Sequence, residues 1–225
     1  MNKWIAVAVL CVLSTLLYSQ RSTFRKLLRN SFFAQQQLQN RALDHYGEDL
    51  WELAQQHELP WEYLMTLTLL ECSGRRPCPS RFEPGVFKKL QEVRDGQRPR
   101  FEAVTQIDVV GASDDALRNL ATSWGPFQVM GYHCIALSSR QETIRIEDLR
   151  GKDSLQHSVR WVRLNYGKLL QQQRYKDALH IHNTGKPYPK SGKPFTYDPH
   201  YIPNGIDHLE HFRELRERDG VAALR

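Results

Sequence analysis

From residue 41 to about 57, apolar side chains return at helical spacing: Leu43, Tyr46, Leu50, Trp51, Leu53 and Ala54. This periodicity predicts a helix. A second helix is predicted from Pro60, a residue suited to a first turn, through WEYLMTLTLLECS to a stop at Gly74. Apolar on most faces, it belongs in the core. Residues 75–122 carry Pro77, Pro79, Pro84, Gly85, Gly96 and Pro99 and read as irregular. Within them a short strand is expected at 105–110 and one helix from Asp114 to Leu120. Leu155, Val159, Val162, Tyr166, Leu169 and Leu170 form the core-facing stripe of a later helix, and a short helix follows at 176–182. From Lys186 the chain is rich in Pro, Gly and Tyr and is expected to wrap the surface. No internal repeat is visible.

A different pattern opens the chain. Residues 4–18 read WIAVAVLCVLSTLLY. As a helix they would span roughly 22 Å, short of a hydrocarbon core of about 30 Å. Lys3 precedes them, and Arg21, Arg25, Lys26 and Arg29 follow. The expectation is a signal-anchor or membrane segment over 1–30, with its basic flank at the interface. More positive charge behind the segment than ahead of it favours a cytoplasmic C-terminal part. The chemistry argued below needs the opposite side, so orientation stays open. Residues 31–44 are Gln-rich and read as a linker or helical extension, 45–212 as the main domain, and 213–225 as a C-terminal tail. The fold class expected is mainly α: one domain preceded by an N-terminal hydrophobic helix.

Composition narrows the partners. Lys and Arg number 31 against 25 acids, a net charge of +6, which suits nucleic acid, anionic lipid or an anionic cell wall. No zinc-finger spacing, RNA-recognition motif or homeodomain signature is present, so nucleic acid is not an expected partner. A mean hydropathy of −0.57 excludes a multi-span membrane protein. Of four cysteines, Cys11 lies in the apolar segment. Cys72 and Cys78 are close enough in sequence to pair in an oxidising compartment, and read equally as buried free thiols. Cys134 adjoins His133 without the paired spacing of a zinc site, so no metal is expected.

Glu71 ends the apolar run LMTLTLLE, directly before the helix stop. A carboxyl there is partly desolvated, which favours its protonated form and suits a general acid for a glycosidic oxygen. The plainer reading is a helix-end Glu paired with Arg75 or Arg76. Two further segments bear on the choice. In SWGPFQVMG, from Ser123 to Gly131, a Gly125-Pro126 turn precedes Phe127 and Gln128. It sets an amide and exposed backbone beside a cleft, as an acetamido group requires. His182-Asn183-Thr184-Gly185 closes a helix with a second amide. Singly these are turns and caps. In the order Glu, Gly-x-x-Gln, Asn-x-Gly they form a set.

That set resembles the lysozyme-like superfamily, in its lytic transglycosylase and phage-type muramidase branch. Glu71-Cys72-Ser73-Gly74 is similar to the Glu-Ser end of the family's catalytic helix, with Cys72 where Ser is usual. Gly125-Pro126-Phe127-Gln128, inside SWGPFQVMGYH, is similar to the Ser-Trp-Gly-Leu-Phe-Gln-Ile-Met-Gly-Phe run of phage muramidases. Ile181-His182-Asn183-Thr184-Gly185 matches the third motif, with His182 where Tyr is usual. The resemblance covers about 45–205, and its stretch between Glu71 and Gln128 is longer than in compact members. It implies Glu71 as the catalytic acid, with Ser73, Gly125, Phe127, Gln128, Met130, His182 and Asn183 around the substrate. Arg81-Phe82-Glu83-Pro84 is similar to a Phe-Glu segment of the phage-type branch, which makes Glu83 either a second acid or a loop partner of Arg81.

The resemblance further implies peptidoglycan as substrate, cut at the β-1,4 bond between N-acetylmuramic acid and N-acetylglucosamine, without metal or organic cofactor. One well-supported carboxylate favours a lytic transglycosylase. The alternatives are a hydrolytic muramidase using Glu71 and Glu83, and a wall-binding protein without activity. The expected place is the cell envelope, tethered at the periplasmic face through residues 4–18, or a phage virion. Virion or secretion-machine proteins are then the expected partners.

Overall fold

The computed structural model describes residues 33–220. The chain divides into two units, Met1–Asn40 and Arg41–Arg225. In the first, residues 33–40 are helical. The apolar N-terminal segment, its basic flank and Cys11 lie outside the described residues, as do residues 221–225. Among the described residues no helix is long and apolar enough to cross a membrane.

The second unit is mainly helical, with two small sheets. Its elements run α1 (41–57), α2 (Trp61–Cys72), β1 (Arg81–Phe82), α3 (Pro84–Arg94), β2 (Arg100–Phe101), β3 (Val104–Thr105), α4 (Gln106–Val109), α5 (Asp114–Leu120), β4 (Thr122–Trp124) and β5 (Val129–Met130). They continue with α6 (His133–Leu137), α7 (Ile146–Arg150), α8 (Ser154–Gln171), α9 (Tyr175–Thr184) and α10 (Tyr201–Asp219). β1, β4 and β5 form an antiparallel sheet in that order, with Arg81 opposite Ser123 and Ser123 opposite Met130; β2 and β3 form a separate hairpin.

The predicted helical stripes meet the core. α1 buries Ala42, Tyr46, Leu50 and Ala54, one residue per turn, while Leu43, Trp51 and Leu53 are half-buried at its flanks. α2 is buried from Trp61 through Leu69. Pro60 caps it instead of standing in its first turn. Ser73 and Gly74, both at positive φ, turn the chain away at its end. A Cβ on Gly74 would lie 2.9 Å from Ala42 Cβ, so glycine is what lets α1 approach here. α8 buries Leu155, Val159, Val162, Tyr166 and Leu170, and half-buries Leu169. α5 occupies the expected residues, with Ser113 Oγ accepting from the Ala116 amide.

Three expectations need correction. First, residues 75–122 are not irregular throughout, since they contain the 11-residue α3. Its Pro84 takes the first helical position, where no amide hydrogen is needed, and Leu90 and Val93 are fully buried. Second, residues 105–110 are not a strand. Only Thr105 pairs; the side chains of Thr105 and Asp108 then form a capping box that starts α4. Third, the surface-wrapping stretch from Lys186 ends at His200, and α10 follows. Pro203 is tolerated in its first turn, where amides lack helical acceptors. A Cβ on Gly205 would fall 2.7 Å from Leu179 Cδ1 and 3.2 Å from Leu70 Cδ1, so this glycine permits close packing on α9 and α2.

α10 is tied to α2 by more than contact. Trp61 meets Phe212 edge to face at 5.8 Å. The Glu62 carboxylate is 4% exposed and accepts from Arg216 at 2.9 Å, with Arg213 at 3.9 Å. A second apolar cluster joins α3, α4 and α5: Leu90, Val93, Val104, Val109, Leu117, Ala121 and Tyr132.

Candidate active site

Glu71 occupies the last turn of α2, where the fully buried helix first meets solvent. It lines a cavity of about 570 Å³ together with Glu83, Gln128, Met130, His182, Asn183 and Tyr201. Its side chain is 16% exposed. Neither Arg75 nor Arg76 pairs with it. Arg75 donates to the Cys72 carbonyl, and Arg76 donates to Asp49 and to the His45 carbonyl. Instead the Tyr201 hydroxyl donates to Glu71 Oε1 at 2.5 Å, and His182 Nε2 stands 3.4 Å from the same oxygen.

The hydrogen-bond pattern fixes how His182 serves this carboxyl. Nε2 lies 3.1 Å from the Phe127 carbonyl. A carbonyl only accepts, so Nε2 carries a hydrogen. Nδ1, 2.6 Å from the Tyr166 hydroxyl, then accepts from it. The Nε2 hydrogen is thus directed at Phe127, and Nε2 stands beside Glu71 Oε1 without a hydrogen bond to it. Burial and the nearby Glu71 charge push the Tyr201 hydroxyl well above the usual phenol range, so it stays a donor. Burial and the Tyr63 hydroxyl do the same for Tyr166. Tyr201 is thus the donor to Oε1, with the His182 ring beside the same oxygen. Among the described residues Oε2 has no hydrogen-bond partner.

The β4–β5 hairpin builds the opposite wall. Gly125 has φ +70°, and a Cβ there would stand 3.0 Å from the Leu149 carbonyl, so the turn requires glycine. Gln128 also has positive φ, 49°, an uncommon conformation for a residue with a side chain. Its amide is fully engaged: Nε2 donates to the carbonyls of Pro79 (2.8 Å) and Gly125 (3.0 Å), and Oε1 accepts from Ser123 (2.8 Å). Gln128 thus braces the hairpin against the loop that follows α2, and does not present a free amide.

The remaining sequence candidates divide. Met130, His182 and Asn183 line the cleft, and the exposed Asn183 amide has no partner among the described residues. Phe127 does not face substrate; its ring is fully buried and only its carbonyl takes part, holding His182. Ser73 is not among the residues lining the cleft; its carbonyl accepts from Arg41 at the α2 terminus. Gly125 faces a separate cavity behind the hairpin. Glu83 reaches the cleft and is paired with Arg81 at 2.6 Å, so both readings of this residue meet in one place.

A neighbouring cavity of about 400 Å³ shares Gln128, Met130, His182 and Asn183 with the first, and extends it past His133 and Trp161. Burial, reinforced by His182, lowers the His133 imidazole to about 4, so it is neutral at ordinary pH. Among the described residues no cluster of His, Cys, Asp and Glu is arranged to hold a metal ion.

Sequence reasoning missed Tyr201 and assigned Tyr166 only to packing. It also missed Tyr197, fully exposed at the cleft rim. Tyr201 and Tyr197 lay in the stretch read as surface tail. The available signal was Ile202, Leu209 and Phe212 at helical spacing behind them.

No family model matches the chain, and no curated protein matches it. Among solved structures it is similar to a Burkholderia AP3 phage endolysin, at 16% sequence identity over 75% of this chain and 71% of that chain, with a TM-score of 0.49.

Proposed function

We propose that this protein cleaves the β-1,4 bond between N-acetylmuramic acid and N-acetylglucosamine of peptidoglycan as a lytic transglycosylase, with Glu71 as acid and then base. The observation that carries this is the Glu71 carboxyl lining the cleft, with the Tyr201 hydroxyl donating to one oxygen, His182 beside it, and no partner on the other oxygen among the described residues. The motif order Glu71, Gln128, Asn183 supplies the substrate class. The fold in this reading is lysozyme-like.

Glu71 Oε2 gives its proton to the glycosidic oxygen as the bond to the muramic anomeric carbon breaks. The resulting carboxylate is stabilised by Tyr201 and His182, which are already in place before charge develops. The same oxygen then removes the proton of the muramic C6 hydroxyl. That oxygen closes onto the anomeric carbon and leaves a 1,6-anhydro end. Asn183 is free to bind an acetamido group, and Tyr197 offers an exposed ring to a sugar face. Gln128 acts through the wall it braces. Residues 4–18 would hold the enzyme at the envelope membrane in this reading.

A second reading follows from Glu83, which lines the same cavity. As a base it would activate water, the product would carry a reducing end, and the enzyme would be a muramidase. Mass spectrometry of unmodified peptidoglycan digested by the full chain separates the two. Anhydro ends, one water lighter than reducing ends, are expected. Exclusively reducing ends, with activity lost in Glu83→Ala, would replace the transglycosylase with the hydrolase.

A further inference from the structure

Behind the cleft lies another cavity, of about 470 Å³, and Ser80 lines both. Cys78 is half-buried and opens onto it, while Cys72 is buried as the last residue of α2. The left-handed turn at Ser73 and Gly74 reverses the chain, so that Cys78 returns to Cys72. Both are free thiols. Both also point at one acceptor, the Arg75 carbonyl, with Cys72 Sγ at 3.5 Å and Cys78 Sγ at 3.1 Å. The Tyr46 hydroxyl donates to that carbonyl at 2.5 Å and lies 3.1 Å from Cys78 Sγ.

The two sulfurs are unequal. The neighbouring Cys72 thiol lowers the Cys78 thiol to about 7, aided against burial by Tyr46, Arg75 and Arg76. Cys78 in turn, then burial, pushes Cys72 upward. Cys78 is therefore the more readily ionised of the two, and it lines the cavity. Arg76, Arg150 and Lys152 line the cavity and no acidic residue does, which favours an anionic visitor.

We propose that Cys72 and Cys78 form an intramolecular disulfide by exchange with a small anionic disulfide compound entering through this cavity. The Cys78 thiolate attacks one sulfur of the oxidant; that S–S bond breaks and one thiolate leaves. Cys72 loses its proton to the departing thiolate, and its sulfur attacks Cys78 and expels the second thiolate. Two protein thiols give up two electrons and two protons, and the oxidant becomes two thiols. The bond joins the residue after Glu71 to a loop whose Pro79 carbonyl holds Gln128 and whose Ser80 and Arg81 line the cleft. It would fasten the end of the acid-bearing helix to the wall of the site.

The test incubates the full chain with oxidised glutathione, blocks remaining thiols and maps tryptic peptides. Trypsin cuts between Arg75 and Arg76, so the reduced protein gives Cys72 and Cys78 on separate peptides. A joined pair, two hydrogen atoms lighter than its parts and without glutathione, is expected. Cys72→Ser should trap glutathione on Cys78, and Cys78→Ser should leave Cys72 unreacted. Oxidised protein should melt several degrees above its reduced form, and Cys78→Ser should show no such difference. Thiols that stay free, a lasting glutathione adduct on the unsubstituted chain, or linkage to Cys134 or Cys11 would each overturn the proposal. If Cys72→Ser fails to fold, the map of the unsubstituted chain decides alone. None of these readouts involves wall cleavage.

Discussion

Glu71 and Glu83 line one cavity but belong to regions built differently. The floor around Glu71 is made by the ends of three helices, α2, α9 and α10, and the carboxyl there is 16% exposed, with the Tyr201 hydroxyl donating to it and His182 beside it. The wall around Glu83 is the joint between β1 and α3. The carboxyl there is 32% exposed, and its partner Arg81 is 75% exposed. Such an ion pair contributes little to stability and is screened by salt. A buried neutral donor holds its acceptor in one geometry whatever the salt. Under the proposed function the two carboxylates would do different work: the floor would preorganise a proton transfer, and the wall would offer a charge that substrate can reorganise.

The largest effect should come from the floor. Glu71→Gln preserves size and removes the proton, and digestion of peptidoglycan should fall by about 10²–10⁴-fold. Unchanged digestion would remove Glu71 from the chemistry.

Next is Tyr201→Phe. A hydrogen bond to a charged group is worth about 1.5–3 kcal/mol, and about 1.4 kcal/mol is tenfold in rate, so kcat should fall roughly 10- to 100-fold. KM should change little, because the donor touches the acid and not the sugar. Circular dichroism should show an intact fold. A change in KM alone would place Tyr201 in substrate binding.

On the wall, Glu83→Ala should lower activity only a few-fold and leave the anhydro ends in place. Raising salt should mimic part of that loss, since the Arg81 pair is exposed. A loss as large as that of Glu71→Gln would make the two regions equivalent and favour the hydrolase.

The smallest signal concerns stability. Burial, then His182, lowers His133 from 6.5 to about 4. Between those values the unfolded chain binds the proton and the folded chain does not, so stability should fall as pH drops from 6.5 toward 4. His57, His208 and His211 are lowered too and act in the same direction. Urea unfolding at pH 7 and pH 5 should therefore show a smaller loss in His133→Phe than in the unsubstituted chain.

The sequence displayed some of this and concealed the rest for physical reasons. α1, α2 and α8 show unbroken apolar periodicity because each buries a full stripe, and Glu71 was visible as the single acid ending such a run. α3 and α10 were concealed because each opens with breakers, Pro84-Gly85 and Pro203-Asn204-Gly205. Those residues are compatible with a first helical turn, and Gly205 is needed for close packing. His182 was legible as a position. Its tautomer was not, because the partners that set it, Phe127 and Tyr166, lie 55 and 16 residues away. Gln128 was legible as a motif and not as a brace, since the Pro79 carbonyl that engages it lies 49 residues earlier.

The hydrogen bond from Tyr201 to Glu71 joins residues 130 positions apart, and this sets an order of events. A ribosome releases the chain N-terminus first. The acid, the hairpin and His182 are all made before Tyr201 exists. Until α10 emerges and docks against α2, Glu71 is without the Tyr201 donor, so the proposed proton transfer would wait on the last helix described.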